Sequence, residues 1–550
     1  MTTRREESDG RIPPEGRRKA VPTPTSAGGG KATTASKEVS QLPLFSETAD
    51  SPRGAVPGKG RDRSRQHAQH AVPKSEDAYN MDSPAMMMEE VASDGNLRRA
   101  FQRVESNDGA PGPDRQSVRE VREHLEHVLP ALRRALLDGS YCPGMIRRVW
   151  IPKAAGGERG LGIPNVVDRI VQQAVHQVLG PHYEPTFHPS SHGFRPGRSC
   201  HTAIAEAGRH LQEGHEWVVD LDLEKFFDRV HHDRLMARLA QRIEDRHLLR
   251  LIRQMLKAKV VMPDGVVVVT EEGAPQGGPL SPLLSNIVLD ELDWELEERG
   301  HRFVRYADDA NIYVRSERAG RRVMATVVQF IERRLRLKVN AGKSAVAQPE
   351  KRHFVGFRLR RNRETSQVEV LPSKRSTDRL ADKIRRLTPR KWGQSFDSCI
   401  SRANGYLRGW IGFFGICSDT PEVVRTLHST DAHLRRRLRA ILLRQWKRKR
   451  YIARHLIRMG ARPGTAWRVV YEGHKSLWAL SHEALVGFTL SKLYFAQRGL
   501  LSLEVLYRGQ PRFVVAQEQL TLELDSCGRK RRRRSKGLSS PTPRAPKSRM

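Results

Sequence analysis

The sequence predicts an α+β domain followed by an all-helical, strongly basic one, and three observations support this. Between about residues 85 and 365, strand-like runs such as "RRVWIPK" and "WVVDLDL" alternate with stretches of helical period such as "DRIVQQAVHQVLGPHY", the mixture expected of an α+β fold. Beyond about 374 strands become scarce, and "DRLADKIRRLT", "SCISRANGYLRGWIGFFG" and "DAHLRRRLRAILLRQWKRKRYIARHLIRMG" read as helices. The third observation is charge: 97 Lys and Arg against 62 Asp and Glu give a formal net charge of +35. Such a field collects polyanions, so nucleic acid is the first partner implied.

Residues 1–84 are rich in Gly, Pro, Ser, Thr and basic residues without sustained periodicity ("VPTPTSAGGGKATTASKE"). They cannot bury enough apolar area to offset the entropy of ordering, and the expectation is a disordered arm. "VREVREHLEHVLPALRRALLDGS" is helical up to Pro130 and again after it, "RRVWIPK" is a strand, and the "DRIVQQAVHQVLGPHY" helix ends at its Gly-Pro. Gly277, Gly278 and two prolines fix a tight backbone before a helix that begins near Ser281. Residues 374–460 and 461–526 are two successive helical regions, the second assigned to nucleic-acid binding. The tail 527–550, "CGRKRRRRSKGLSSPTPRAPKSRM", is read as disordered, either a phosphate-binding end, which is favoured, or a solvated end with no role. The five cysteines are few, odd in number and never form C-x-x-C, so neither a disulfide framework nor a zinc ribbon is indicated. Without a run of about 18 apolar residues or a signal-peptide core, the chain reads as cytoplasmic with no membrane partner.

Two acidic stretches carry the chemistry. In "RFVRYADDANIYVR" the strand formers flank Asp308 and Asp309, which fall in the turn of a β-hairpin. In "WVVDLDLEKFFDRV" a second strand carries Asp220 and Asp222 into the Phe226-Phe227 pair. If the two lie side by side, Asp222 and Asp308 face each other and repel unless a cation neutralises them. Two Mg²⁺ ions would do so and would clamp the two oxygens of an in-line phosphoryl displacement. Spacing alone does not say that residues 86 positions apart meet.

These residues resemble a known family. Tyr306-Ala307-Asp308-Asp309 is similar to the Y-A-D-D box of reverse transcriptases, Asp222 with Phe227-Asp228 to their first aspartate motif, and "PQGGPLSPLLSNIVLDELD" to the motif between them. With "NDGAPGPD", "RRVWIPKAAGGERGLGIPNVVDRIVQQ", "SHGFRPGRSCHTAI", "LKVNAGKS" and "FVGF", the stretch from about 96 to 505 resembles the group II intron-encoded reverse transcriptase/maturases. The resemblance implies a right-hand polymerase with fingers and palm over 85–365 and a thumb/maturase (X) domain over 374–460. It implies catalytic Asp222, Asp308 and Asp309, with two Mg²⁺ ions on Asp222, Asp308, Asp309 and the Leu223 carbonyl. Asp220 is a surface or supporting residue.

For the incoming dNTP, Arg147, Lys153 and Arg159 recur at six-residue intervals across a Gly-Gly turn and suit a triphosphate. Phe227 corresponds to an aromatic gate against a ribose 2′-hydroxyl, or else to a core phenylalanine, and Gln276 lines the nucleotide pocket. Lys343 is read either as reaching a phosphate or as an ordinary loop lysine, and "FVGF" as a primer-gripping hairpin or a core strand. "YLRGWIGFFGIC" resembles the maturase motif, and with the basic helix after it points to group II intron RNA bound by Arg408, Trp410, Arg435, Arg436, Arg437, Lys447 and Arg448. No H-N-H nuclease with paired zinc cysteines appears. The reading is an RNA-directed DNA polymerase acting from a DNA primer at its target, and a splicing maturase. Its rivals are an RNA-binding splicing cofactor with a vestigial polymerase and a retron-like or defence reverse transcriptase; the intact acids weigh against the first and the maturase block against the second.

Overall fold

The computed structural model describes residues 87–153 and 156–510. The expected arm (1–84), residues 511–526 of the second helical region and the tail (527–550) lie outside the described residues. The strands are β1 (Ile146–Pro152), β2 (Glu158–Ile163), β3 (Trp217–Leu221), β4 (Val260–Val261), β5 (Val267–Val268), β6 (Arg302–Tyr306), β7 (Asp309–Val314), β8 (Ala345–Ala347), β9 (Phe357–Arg361) and β10 (Val368–Pro372). A central antiparallel sheet has the order β6-β7-β3-β8. A second sheet, β2-β1-β4-β5, contains the "RRVWIPK" hairpin, and β9-β10 form a third.

The central sheet is apolar on both faces for most of its length. Side chains alternate along a strand, so Val219, Leu221, Phe303 and Ile312 enter one core with the helices Asp94–Asn107, Val166–Tyr183, Arg246–Leu256 and Ser281–Glu298. Val218, Val304 and Tyr313 face the other way, onto the Cys200–Gln212 helix and a core shared with β9, β10 and the C-terminal helices. This second core joins the mixed part of the chain to the helical part. The "FVGF" segment belongs to it: Phe354 and Phe357 are buried, Gly356 has φ +99°, and a Cβ there would sit 3.3 Å from the Phe413 ring.

Three helix boundaries differ from the sequence reading. Pro130 lies inside the helix Leu125–Leu137, and the break comes at His124. The helix Val166–Tyr183 runs through Pro181. In both, the hydrogen bond lost to proline is outweighed by burial of the neighbouring Leu129 and Leu132, or Val178 and Leu179. The basic helix expected to run on past residue 446 instead stops at Gln445; Lys447 takes φ +60° and a new helix, Lys449–Arg458, begins. Trp446 stacks on His455 across that corner at 4.6 Å, a contact that a straight helix would forgo.

One buried cation ties the central sheet to the helix and the loop packed beside it. Arg305 of β6 is 1% exposed, and its guanidinium donates to Asp293 Oδ1 and Oδ2 (2.7 and 2.5 Å), Asn286 Oδ1 (3.0 Å), Ser191 Oγ (2.7 Å) and the Ala307 carbonyl (2.8 Å). Its backbone also bridges to the 190–192 segment. A fully satisfied fork of this kind is stable, but losing its carboxylate leaves a charge buried without its counterion. Asp293→Ala is therefore expected to destabilise the fold by about 3–5 kcal/mol in urea titration, several times the loss from Asp397→Ala, whose carboxylate is exposed.

Candidate active site

The acids converge at one end of the central sheet. β3 pairs with β7 in a register that sets Asp220 opposite Asn311 and Leu221 opposite Ala310, so the next rung brings Asp222 beside Asp309. Residues opposed in this way share a face, and Asp308 occupies the turn between β6 and β7. Ala307, in the same turn, is left-handed at φ +56°. Gly193, from "SHGFRPGRS", lies against that turn so closely that a Cβ would fall 2.2 Å from the Ala307 nitrogen. Asn286 holds the Gly193 carbonyl at 2.9 Å.

Asp220 and Asp222 are handled differently. Asp220 is largely buried and accepts from Arg352 Nε at 2.7 Å; with its amide oriented to satisfy its bonds, Asn311 donates to the other oxygen at 3.1 Å. It is thus a supporting residue and not a surface one. Asp222 is half-exposed, and its only charged partner among the described residues is Lys343, whose ammonium lies 3.4 Å from both oxygens. Its backbone is pinned by Ser344 (3.0 Å) and Asn340 (2.8 Å), so the "NAGKS" lysine reaches a carboxylate. Leu223 follows with its side chain buried.

Of the expected nucleotide contacts, Arg159 acts directly on the acids, and the others take up the following positions. Arg159 is exposed on β2 and draws the Asp308 carboxyl downward, against burial and the charge of Asp222. Lys153 is exposed at the turn of the same hairpin, where its N–H donates to Gly157 at 2.8 Å. The Gln276 carbonyl accepts from Gly162 of β2 (2.7 Å), and Gly277 approaches Gly162 with no room for a Cβ. Phe227 is half-buried, packed edge-on to Phe226 at 5.1 Å, and its carbonyl accepts from Ala274 (2.6 Å). Arg147 is set apart: it pairs with Ile163, four rungs from the Ile151–Arg159 pair, or about 13 Å along the strand. Its Nε is buried without a partner.

The electrostatics of this corner are those of an acid cluster short of cations. Burial raises the Asp308 carboxyl; burial and then Asp308, Asp220 and Asp222 push Asp309 up to about 7. Asp309 keeps an open surface while protein surrounds it on most sides. The donors are all hard oxygen, the chemistry of a divalent cation such as Mg²⁺. Among the described residues no three acidic, histidine or cysteine side chains already converge as a closed metal cage would; Lys343 supplies the positive charge instead.

Two family models match the chain. Residues 151–359 match "Reverse transcriptase (RNA-dependent DNA polymerase)" and 377–460 match "Group II intron, maturase-specific domain". The chain thus carries a reverse transcriptase domain and, after it, a group II intron maturase-specific domain. It is 43% identical over 193 residues to Protein YkfC of Escherichia coli (strain K12), covering 34% of this chain and 50% of that protein. To the group II intron-encoded protein LtrA of Lactococcus lactis subsp. cremoris it is 38% identical over 200 residues, 35% of this chain and 32% of LtrA. The chain thus spans half or less of the length of the curated relatives it matches. Among solved structures, a partial Cas6-RT-Cas1–Cas2 complex is similar at 25% identity over 45% of this chain and 42% of that one, with a TM-score of 0.30.

In the maturase-matched part, the seven residues expected to meet RNA separate into groups. Arg408, Lys447 and Arg448 are exposed, and Arg435 is half-buried. Arg436 lies over the Trp478 ring at 4.1 Å. Two expectations are corrected. Trp410 is 7% exposed and stacks on Phe414 at 4.6 Å, because Leu407, Trp410, Ile411 and Phe414 share the inward helix face. Arg437 is 8% exposed and donates to the Thr388 hydroxyl and carbonyl (2.6 Å each) and the Arg385 carbonyl (3.1 Å), closing the end of the Lys374–Leu387 helix as a cation there should. No described helix is long and apolar enough to cross a membrane.

The acids that sequence reasoning named depend on residues it passed over: Arg305, Arg352, Ser344, Asn286 and Gly193. Arg305 carried a signal as an arginine inside an apolar strand, and Gly193, Asn286 and Ser344 lie inside quoted motifs without a role having been given to them; Arg352 carried none. The raised Asp309 carboxyl has a consequence for stability. A carboxyl whose folded pKa exceeds its unfolded value of about 4 takes up a proton on folding between the two, so stability falls as pH rises from about 4 to about 7. In metal-free buffer Asp309→Asn should melt above the parent at pH 8, with the gap closing toward pH 4; scanning calorimetry at both pH values checks this.

Proposed function

We propose that this chain is an RNA-directed DNA polymerase that extends a DNA 3′ end by copying group II intron RNA with dNTPs, and a maturase that binds that RNA to promote its splicing and mobility. In this reading residues 85–365 are fingers and palm, 374–460 the thumb/maturase domain and 461–526 a helical nucleic-acid-binding region, and the enzyme works in the cytoplasm. What supports it most is the β3–β7 register, by which Asp222 and the Asp308–Asp309 turn share one corner of a strongly basic molecule.

Asp222 and Asp308, with Asp309 and the Leu223 carbonyl beside them, would hold two Mg²⁺ ions, which supply charge neutralisation for phosphoryl transfer. The primer 3′-hydroxyl attacks the α-phosphorus of the dNTP, a phosphodiester bond forms and pyrophosphate leaves. Arg159 and Lys153 bind the triphosphate, with Arg147 further along the same hairpin face. Gln276 and the Gly277 backbone line the base-pair pocket, where a side chain on residue 277 would collide with β2. Phe227 meets the sugar and turns away a 2′-hydroxyl. Arg408, Arg435, Arg436, Lys447 and Arg448 bind the RNA phosphates.

With poly(rA), oligo(dT), dTTP and Mg²⁺, the parent chain should incorporate dTMP and Asp308→Ala should not. Absence of incorporation by the parent, or equal incorporation by both, would overturn the polymerase assignment. In the same assay Phe227→Ala should raise the use of UTP relative to dTTP by about ten-fold, measured by single-nucleotide extension.

A further inference from the structure

The 26 residues from Trp446 to Tyr471 contain eight Lys or Arg and no Asp or Glu. They fold as two helices, Lys449–Arg458 and Pro463–Tyr471, packed together after the corner at Lys447. Three large aromatic residues in this stretch stay at the surface: Tyr451 is 40% exposed, Trp467 38% and Tyr471 50%. Aromatic rings contribute most to a fold when buried, so leaving three outside on one basic segment needs a reason.

Their geometry supplies one. Trp467 and Tyr471 are one helical turn apart, with ring centroids 5.7 Å from each other and planes inclined by 30°. Lys449 reaches across from the preceding helix to lie 5.5 Å from the Tyr471 ring centroid, and Arg450 lies 4.9 Å from that of Tyr451. Tyr471 remains half open with its lysine in place. Pre-oriented rings beside cations that have no acidic partner among the described residues match a ligand that has flat faces and phosphates together, which is a nucleotide strand with its bases unstacked. A duplex offers the phosphates and hides the faces.

We infer that Trp467 and Tyr471, flanked by Lys449 and the exposed Lys447 and Arg448, form a stacking platform for unpaired nucleotides of RNA. The inference rests on the proposed binding of RNA by this part of the chain and adds the form of RNA that is recognised and the residues that read it. Tyr451, under Arg450, adds a ring at the start of the same helix. The stacked pair, Trp467 and Tyr471, lies beyond residue 460, where the maturase-specific match ends.

The test uses the full chain and fluorescently labelled 20-nucleotide probes: single-stranded RNA, the same sequence as duplex RNA, as single-stranded DNA, and as an abasic phosphodiester strand. Tyr471→Ala and Trp467→Ala should each weaken single-stranded RNA binding by about ten-fold, while Tyr471→Phe leaves it near the parent value. Tyr471→Leu, which keeps apolar area without a stacking face, should behave like Tyr471→Ala. Neither alanine variant should change binding of the duplex or the abasic strand. The paired substitution Lys447→Ala with Arg448→Ala should weaken all four probes and flatten the salt dependence. If the cation variant weakens binding and the aromatic variants do not, the platform is wrong and RNA binding by this surface stands. If neither does, both fall. Equal loss on duplex and abasic probes, Tyr471→Leu matching Tyr471→Phe, or at least ten-fold tighter binding of DNA than RNA would each overturn the assignment. Unchanged melting temperatures, expected for exposed positions, separate these outcomes from misfolding.

Discussion

The Arg305 guanidinium is the contact on which the candidate site depends. It is buried, carries a fixed charge, and has its donors satisfied from three separate parts of the chain: Ser191 of the 190–192 segment, Asn286 and Asp293 of the Ser281–Glu298 helix, and the Ala307 carbonyl beside Asp308. A charge in the interior is tolerated only where geometry supplies every partner. The position of the acidic turn is therefore linked to the packing of a helix and a loop distant in sequence. The left-handed Ala307 and the close approach of Gly193 belong to the same arrangement, since Gly193 packs directly against the turn that Ala307 forms.

The acids show how one cluster is divided between support and chemistry. Asp220 and Asp222 lie on the same strand face, two residues apart, yet Arg352 and Asn311 hold the first while a single lysine at 3.4 Å faces the second. A largely buried carboxylate with one oxygen on an arginine and the other on an amide is difficult to exchange to another ligand. A lysine at the edge of hydrogen-bonding distance, on a half-exposed carboxylate, is easily displaced by a stronger cation. Asp309 is raised toward neutrality by burial and by the charges of Asp308, Asp220 and Asp222, a local excess of acid in a molecule whose net charge is +35.

The helical half shows the same separation among arginines. Arg437 and Arg448 look alike in a basic run, but one closes the carbonyl end of a neighbouring helix and the other faces solvent. Trp410 and Trp467 differ in the opposite sense, one stacked inside the second core and one left at the surface beside Tyr471. Sequence patterning identifies such residue types and their spacing. It cannot say which helix face a neighbour will cover, because that depends on packing between elements tens of residues apart.

The sequence by itself determined the order of strands and helices, the β-hairpin that carries Asp308 and Asp309, the strand that carries Asp222, and the family motifs that connect them, because alternation, turn chemistry and spacing are local properties. The tertiary structure alone decided that helices continue through Pro130 and Pro181 and break at Lys447, since packing of Leu129, Val178 and the Trp446–His455 stack outweighs local preference. It also decided that Asp222 and Asp309 are neighbours, that Asp220 is held by Arg352, and that Arg147 lies some way along its strand from Arg159. Each of these is a matter of register or burial between segments far apart in the chain, and the energies that select them exist only when both segments are in place.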